Sequence, residues 1–208
     1  LVNEKLGSPV SDTKRGPISA EQLEHHYNAH FNAYRFRLRE IRARLLKADT
    51  SYNVLAFNML RVLKKEEAQV MNSVVLHNNY FASLGAGQTQ PSPGLVNMMI
   101  RDFGSLEEWL EQFIALGLGS RGWVMLVFDL CEGKLSNYIA DDNAEAIWLT
   151  FPLLVLDIYE HAFQMDYKSD KKEYITRFVN NIDWGNVNYN FDTAGEIYKI
   201  VAVWKEKV

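Results

Sequence analysis

Five histidines stand in the 208-residue chain: His25, His26 and His30 within one short segment, His77 well after them, and His161 far along the sequence. His161 ends the run Asp157-Ile158-Tyr159-Glu160-His161, which follows four apolar residues, Leu153, Leu154, Val155 and Leu156. A carboxylate emerging from such a run is either a surface group just past a strand or a buried charge with a partner. Buried and unpaired it is strongly destabilising, and a cation or a neighbouring base removes that cost. One carboxylate with imidazoles suits iron, manganese or zinc, whereas thiolates favour softer metals and rings of oxygen favour calcium or magnesium. An ordinary capping aspartate and a helical histidine near the surface would account for the same five residues. His26 and His30 are four apart and share a face if their segment is helical. A site drawn from all three regions would pin distant parts of the chain together.

The order His26-x-x-x-His30-x-x-x-Tyr34, then His77, then Asp157-Ile-Tyr-Glu-His161-Ala-Phe163 resembles the iron/manganese superoxide dismutase family. The resemblance runs from about Pro17 to Val203. It takes in Gly119-Ser120-Arg121-Gly122-Trp123, close to the family's Gly-Ser-Gly-Trp segment, and Tyr174 followed by Asn180-Asn181-Ile182-Asp183-Trp184. The resemblance implies one iron or manganese ion per chain, with His26, His77, Asp157 and His161 as ligands and His25 as the other candidate for the first position. It implies superoxide as substrate: one superoxide gives an electron to the oxidised metal and leaves as dioxygen. A second takes that electron and two protons and leaves as hydrogen peroxide. The protein sets the reduction potential largely through outer contacts. His30 and Tyr34 match the gateway pair that borders the channel and relays protons. Glu160 matches the residue that crosses a dimer seam to the partner's His161, which implies a homodimer.

The departures from the family lie around those ligands. The glutamine that normally meets the metal-bound solvent is replaced by Ser73, four residues before His77, or by Asn143 on the strand side. Serine is short and asparagine lacks a methylene of reach; Gln164 is a further amide for the channel or the dimer seam. Phe81, Met125 and Tyr159 stand where the family often has tryptophan, and Lys171 where an arginine often braces the interface. A metal-binding interaction or structural protein without efficient turnover is the rival expectation. Another small-molecule metal oxidoreductase is a third.

The elements that must position these residues read as α+β. Residues 1–16 are polar and read as extended. Ser19 with Gln22 has a capping-box pattern, and the helix it opens runs to about Leu46, with a kink placed near Tyr34 and Arg35. A second helical section over 53–84 carries Val54, Phe57, Leu60 and Leu63, then Val70, Val74, His77 and Phe81, at spacings of three or four. Together they predict an antiparallel helical hairpin. The Gly- and Pro-containing stretch 85–94 divides an N-terminal tail and hairpin, 1–88, from a C-terminal metal-binding α/β part, 89–208. There, short helices over 96–103 and from Ser105, whose capping box includes Glu108, precede three strands over 123–128, 134–139 and 146–156. These form a three-stranded antiparallel sheet with Asp157 at its end, and helices over 171–182 and 193–204 surround it.

Composition is that of a globular chain, 48% hydrophobic and 23% charged. A net charge of -4 argues against nucleic acid as a partner, and Glu40 interrupts the cluster Arg35, Arg37, Arg39 and Arg42, which reads as a solvated face. Cys131 is alone, so no intramolecular disulfide framework exists. The cytoplasm is the favoured compartment, with an organelle or export left open because a cleaved targeting peptide would leave no trace. No run of transmembrane length occurs, and no membrane partner is expected.

Overall fold

A computed structural model of the chain describes residues 18–51, 58–85, 89–145 and 147–205. The extended opening over 1–16, Val54 and Phe57 of the second helical section, and Ala146 of the third strand lie outside the described residues.

Helix α1 (Ala20–His25) starts as its sequence predicts, with the Ser19 hydroxyl accepting from the Gln22 amide. The Gln22 side chain does not complete a capping box, however; it is spent on the far end of the chain. The helix runs on to Leu45 as the sequence predicts, but its irregularity lies before Tyr34 rather than at it. Within that run His26–Phe31 forms a π-helical turn, followed by α2 (Asn32–Leu45). The reason is phase. At about 100° per residue, the buried Gln22, Leu23 and His26 point roughly one residue's turn away from the buried Phe31, Leu38 and Ile41. A π turn takes in one extra residue and brings both sets onto one continuous inner stripe.

Helix α3 (Met59–Ser83) starts later than the sequence reading placed it, capped by Asn58, whose side chain accepts from the Leu60 and Arg61 amides. Its buried face, Leu63, Val70, Ser73, Val74, His77 and Tyr80, has helical spacing and packs against α2. A small core of Phe31, Leu38, Ile41, Leu63, Val70 and Val74 holds the hairpin together. The larger core joins Ile18, Leu23, Leu76, Tyr80 and Leu84 to the sheet and helices of the C-terminal part, so it crosses the Gly- and Pro-containing stretch.

Helices α4 (Pro93–Phe103) and α5 (Leu106–Gly119) are capped by Ser92 and Ser105, and both hydroxyls accept backbone N–H groups. Strands β1 (Trp123–Asp129), β2 (Lys134–Ala140) and β3 (Thr150–Asp157) form an antiparallel sheet in the order β2-β1-β3. The third strand begins at Thr150 because the chain turns at Trp148 and Leu149, with Leu149 at φ 57. A register shift opposite Leu126 and Val127 leaves Leu153 as an extra residue beside Pro152, a bulge suited to an edge strand that holds a proline. The open edge of β3 is covered: Val155 N–H donates to the Ser83 hydroxyl, and the Asn190 amide donates to the Leu153 carbonyl.

Past β3 come a 3-10 turn (Glu160–Ala162), α6 (Gln164–Tyr167), α7 (Lys171–Val179) and α8 (Trp184–Lys205). The last helix starts nine residues before the sequence reading put it, because Asp183 accepts from Asn186 N–H at its first turn. The seventh stops at Val179, before the Asn180-Asn181 pair.

Gly122 enters β1 where no side chain fits, since a Cβ there would collide with the Ala140 carbonyl oxygen. Gly122→Ala is expected to lower stability by about 1–3 kcal/mol through backbone displacement, read as a lower urea midpoint. An unchanged midpoint would show that the strand entry can yield.

Candidate metal centre

Each arm of the site comes from a different element: His26 from the π turn, His77 from α3, Asp157 from the last position of β3 and His161 from the 3-10 turn. The structure brings all four together, with one donor atom from each lying within 4.8 Å of the others. Asp157 Oδ2 is 3.3 Å from His26 Nε2, 3.3 Å from His161 Nε2 and 3.8 Å from His77 Nε2. These four converging atoms are buried and lack a geometrically sound hydrogen bond among the described residues. Buried polar atoms are nearly always partnered, so four such atoms aimed at one point mark a place for a cation. Three imidazoles and one carboxylate form a donor set that iron or manganese fits.

The outer contacts fix that set. His77 Nδ1 faces the Ser73 carbonyl at 2.6 Å; donating there leaves the Nε2 lone pair for the centre. Asp157 Oδ1 accepts from Tyr159 N–H at 2.9 Å, which turns Oδ2 inward. The Tyr174 hydroxyl donates to the Asp157 carbonyl at 2.8 Å and lies 3.2 Å from the Tyr80 hydroxyl. Gln22, almost fully buried, donates to the His161 carbonyl at 2.7 Å and accepts from Met165 N–H at 3.0 Å. The first helix thereby holds the turn that carries the fourth arm.

Burial lowers the pKa of His26 and pushes His77 down to about 4, which keeps both rings neutral and their lone pairs free. Burial alone would raise Asp157, but the His161 and His26 imidazoles beside it outweigh that and hold the carboxyl well below its ordinary value. The walls are aromatic. Tyr80 and Phe81 flank His26, while Phe31, Tyr34 and Trp123 flank His77.

His30 stacks on His161 with centroids 4.2 Å apart, and burial pushes its pKa down to about 4. Tyr34 lies half-buried with its ring 5.3 Å from His77. His25 is exposed and outside the cluster. Of the three candidates for the missing glutamine, Ser73 spends its hydroxyl on the Gln69 carbonyl, one turn back in its own helix. Gln164 is exposed on α6, away from the buried cluster. Asn143 is buried and accepts from Trp123 Nε1 at 2.7 Å through Oδ1, which leaves its N–H groups as its remaining polar reach. Glu160 is exposed beside His161, and Lys171 donates to the Ser120 carbonyl.

Sequence reasoning passed over Gln22 as a site residue, because its spacing from Ser19 matched a local cap. It also gave no role to Tyr80 or Tyr174; a tyrosine on an apolar helix face carries no mark that its hydroxyl meets a carbonyl far away in sequence.

Residues 91–190 match the family described as iron/manganese superoxide dismutases, C-terminal domain. The chain is 35% identical over 187 residues to a protein of Aquifex aeolicus (strain VF5) named superoxide dismutase (Fe), a match covering 88% of each. It is also 35% identical over 180 residues to a protein of the same name from Cupriavidus metallidurans, covering 85% of this chain and 90% of that one. A Halobacterium salinarum protein named superoxide dismutase (Mn) 1 is 33% identical over 127 residues, covering 60% of this chain and 64% of its own length. With a buried three-histidine, one-aspartate cluster on an α+β frame and relatives aligned over most of its length, this chain belongs to the iron/manganese superoxide dismutase family.

Proposed function

We propose that the protein is a superoxide dismutase, turning two superoxide ions and two protons into dioxygen and hydrogen peroxide. One iron or manganese ion is held by His26, His77, Asp157 and His161. The observation that carries this reading is the convergence of four buried donor atoms without a sound hydrogen-bond partner. Iron or manganese bound there supplies the one-electron change in oxidation state that the reaction needs.

The chain's own residues do the rest. Neutral imidazoles and one carboxylate leave a bound cation with net positive charge, which draws a small anion inward through low-dielectric walls. Asp157 supplies the only negative charge of the set, fixed by Tyr159 N–H. The Ser73 carbonyl orients His77, and Gln22 holds the backbone of His161. His30 and Tyr34 border the approach, with Tyr34 as the hydroxyl that relays protons. Asn143, oriented through Trp123, takes the part of the amide that the family usually draws from glutamine. Ser73 cannot reach while its hydroxyl is bonded to Gln69.

The test is superoxide decay by pulse radiolysis on separately reconstituted iron and manganese forms, with metal content measured on the same samples. Repeated rapid decay in one form, lost in Asp157→Ala, is the expected result. Stoichiometric reduction without turnover in both forms would leave a metal-binding protein and reject the enzyme.

The protein works as a homodimer in this reading, with Glu160 of each copy meeting His161 of the other across a twofold axis. The exposed Glu160 beside His161 supports it, as does the shallow surface formed with Arg121, Lys168 and Lys171. Sedimentation should then give a smaller particle for Glu160→Ala than for the wild type; equal masses would remove Glu160 from the seam.

A further inference from the structure

Three imidazole rings lead outward from the metal centre. His161 is one of its arms, His30 stacks on His161 with the ring planes 15° apart, and His25 lies beyond, its centroid 5.6 Å from that of His30. Exposure grows along this row, from the partly buried His161 and His30 to the exposed His25. The centre uses the first ring and its approach is bordered by the second. The third has no part in either.

His25 and His30 would not meet on an α-helix. Five residues at about 100° each set two side chains about 140° apart. The π turn His26–Phe31 takes in one extra residue, so His30 stands over His25 as the fourth residue of an α-helix would. Two histidines at that spacing on one helical face are a known way of holding zinc. Among the described residues, neither ring takes part in a hydrogen bond. Glu21, one turn before His25 in α1, is exposed and on the same face. A pair of imidazoles, a carboxylate within a turn and positions open to water make a donor set suited to a divalent transition ion.

We propose that His25 and His30 form an outer site for such an ion, zinc being the best fitted, and that an ion held there slows dismutation. The site is separate from the buried one. Once His26, His77 and His161 hold iron or manganese, His25 and His30 are the remaining two of the chain's five histidines. The slowing follows from where His30 stands. An ion on its outer side pins the ring against His161 at the border of the approach, and the waters of that ion fill space a small anion must cross. The slowing rests on the dismutase reading above; the binding does not.

Zinc titrated into the iron- or manganese-loaded protein, with every metal counted on the same samples, tests both parts. Wild type is expected to take up a single zinc per chain and to keep its iron or manganese. His25→Ala removes one of the two imidazoles. Loss of a mere outer partner of a ligand costs about 10–100-fold in affinity, so zinc binding should weaken by at least about tenfold. Its iron or manganese content and its zinc-free superoxide decay should match wild type. Zinc should slow decay in wild type and leave His25→Ala unaffected at the same concentration. No zinc taken up by the loaded wild type, or equal uptake by His25→Ala, overturns the site. So does uptake matched by loss of iron or manganese, which would put the zinc in the buried centre. Bound zinc with undiminished decay overturns the slowing. A chain without dismutation still answers the binding question, so the two readings fail separately.

Discussion

Asp157→Ala should fold and yet keep little metal: occupancy after reconstitution with iron or manganese is expected below about one-tenth of wild type. Asp157 is the single anion in the set, completely buried at the end of β3, and its Oδ2 is the atom the three imidazole nitrogens surround. Loss of an outer partner of a metal ligand costs about 10–100-fold in affinity or activity. Loss of the only charged ligand should exceed the top of that range. Tyr34→Phe makes the contrast, since it removes a hydroxyl near the approach and leaves all four donors in place, so occupancy should hold while turnover falls. Metal analysis and superoxide decay on the same samples separate the two effects. Equal metal content in wild type and Asp157→Ala would mean that the centre lies elsewhere.

Trp123→Ala should be the most destabilising of the single changes considered, at about 3–5 kcal/mol for burial and the cavity left behind. The indole is completely buried, sits edge-on to His77 at 5.0 Å and to Tyr159 at 6.0 Å, and donates to Asn143 Oδ1. Without it His77 loses a wall and Asn143 its orienting donor, so dismutation should fall together with stability. Trp123→Phe separates the causes. It keeps most of the packing but leaves the Asn143 oxygen unpaired, at a cost of about 1–3 kcal/mol. Urea denaturation of both metal-free variants measures the difference. A Trp123→Ala loss under about 1 kcal/mol would mean that the surroundings collapse onto the gap, and that the indole is not the brace described.

The helical hairpin and the three strands were legible because they repeat simple patterns. Leu63, Val70, Val74 and His77 recur at helical spacing, and the apolar runs at Trp123 and Leu153 have strand length. Serines ahead of two of the helices, Ser19 and Ser105, marked their starts. The four clustered residues were legible as types in an order, through resemblance rather than spacing. What escaped was whatever depends on contacts between distant segments. Gln22 looked like a cap and proved to be a tie to His161 and Met165. Ser73 was weighed for its hydroxyl, and it is its carbonyl that matters. The π turn escaped because residues with helical propensity look alike whether four or five separate a donor from its acceptor. Only the mismatch between the inner faces of α1 and α2 betrays the turn.

That turn also decides where the chain tolerates a change of length. A π turn is an inserted residue already absorbed by the helix. Removing one residue between His26 and Phe31, so that a plain α-helix remains, would keep Leu38 and Ile41 facing α3, since the lost residue and the lost bulge cancel. The same deletion within α2 would rotate everything after it by about 100°, turning arginines toward the small core and leucines toward water. Relatives that differ by a single residue in this helix should therefore differ at the histidine-bearing turn. The histidine-bearing turn is then the place where this helix can lose a residue and keep its core face.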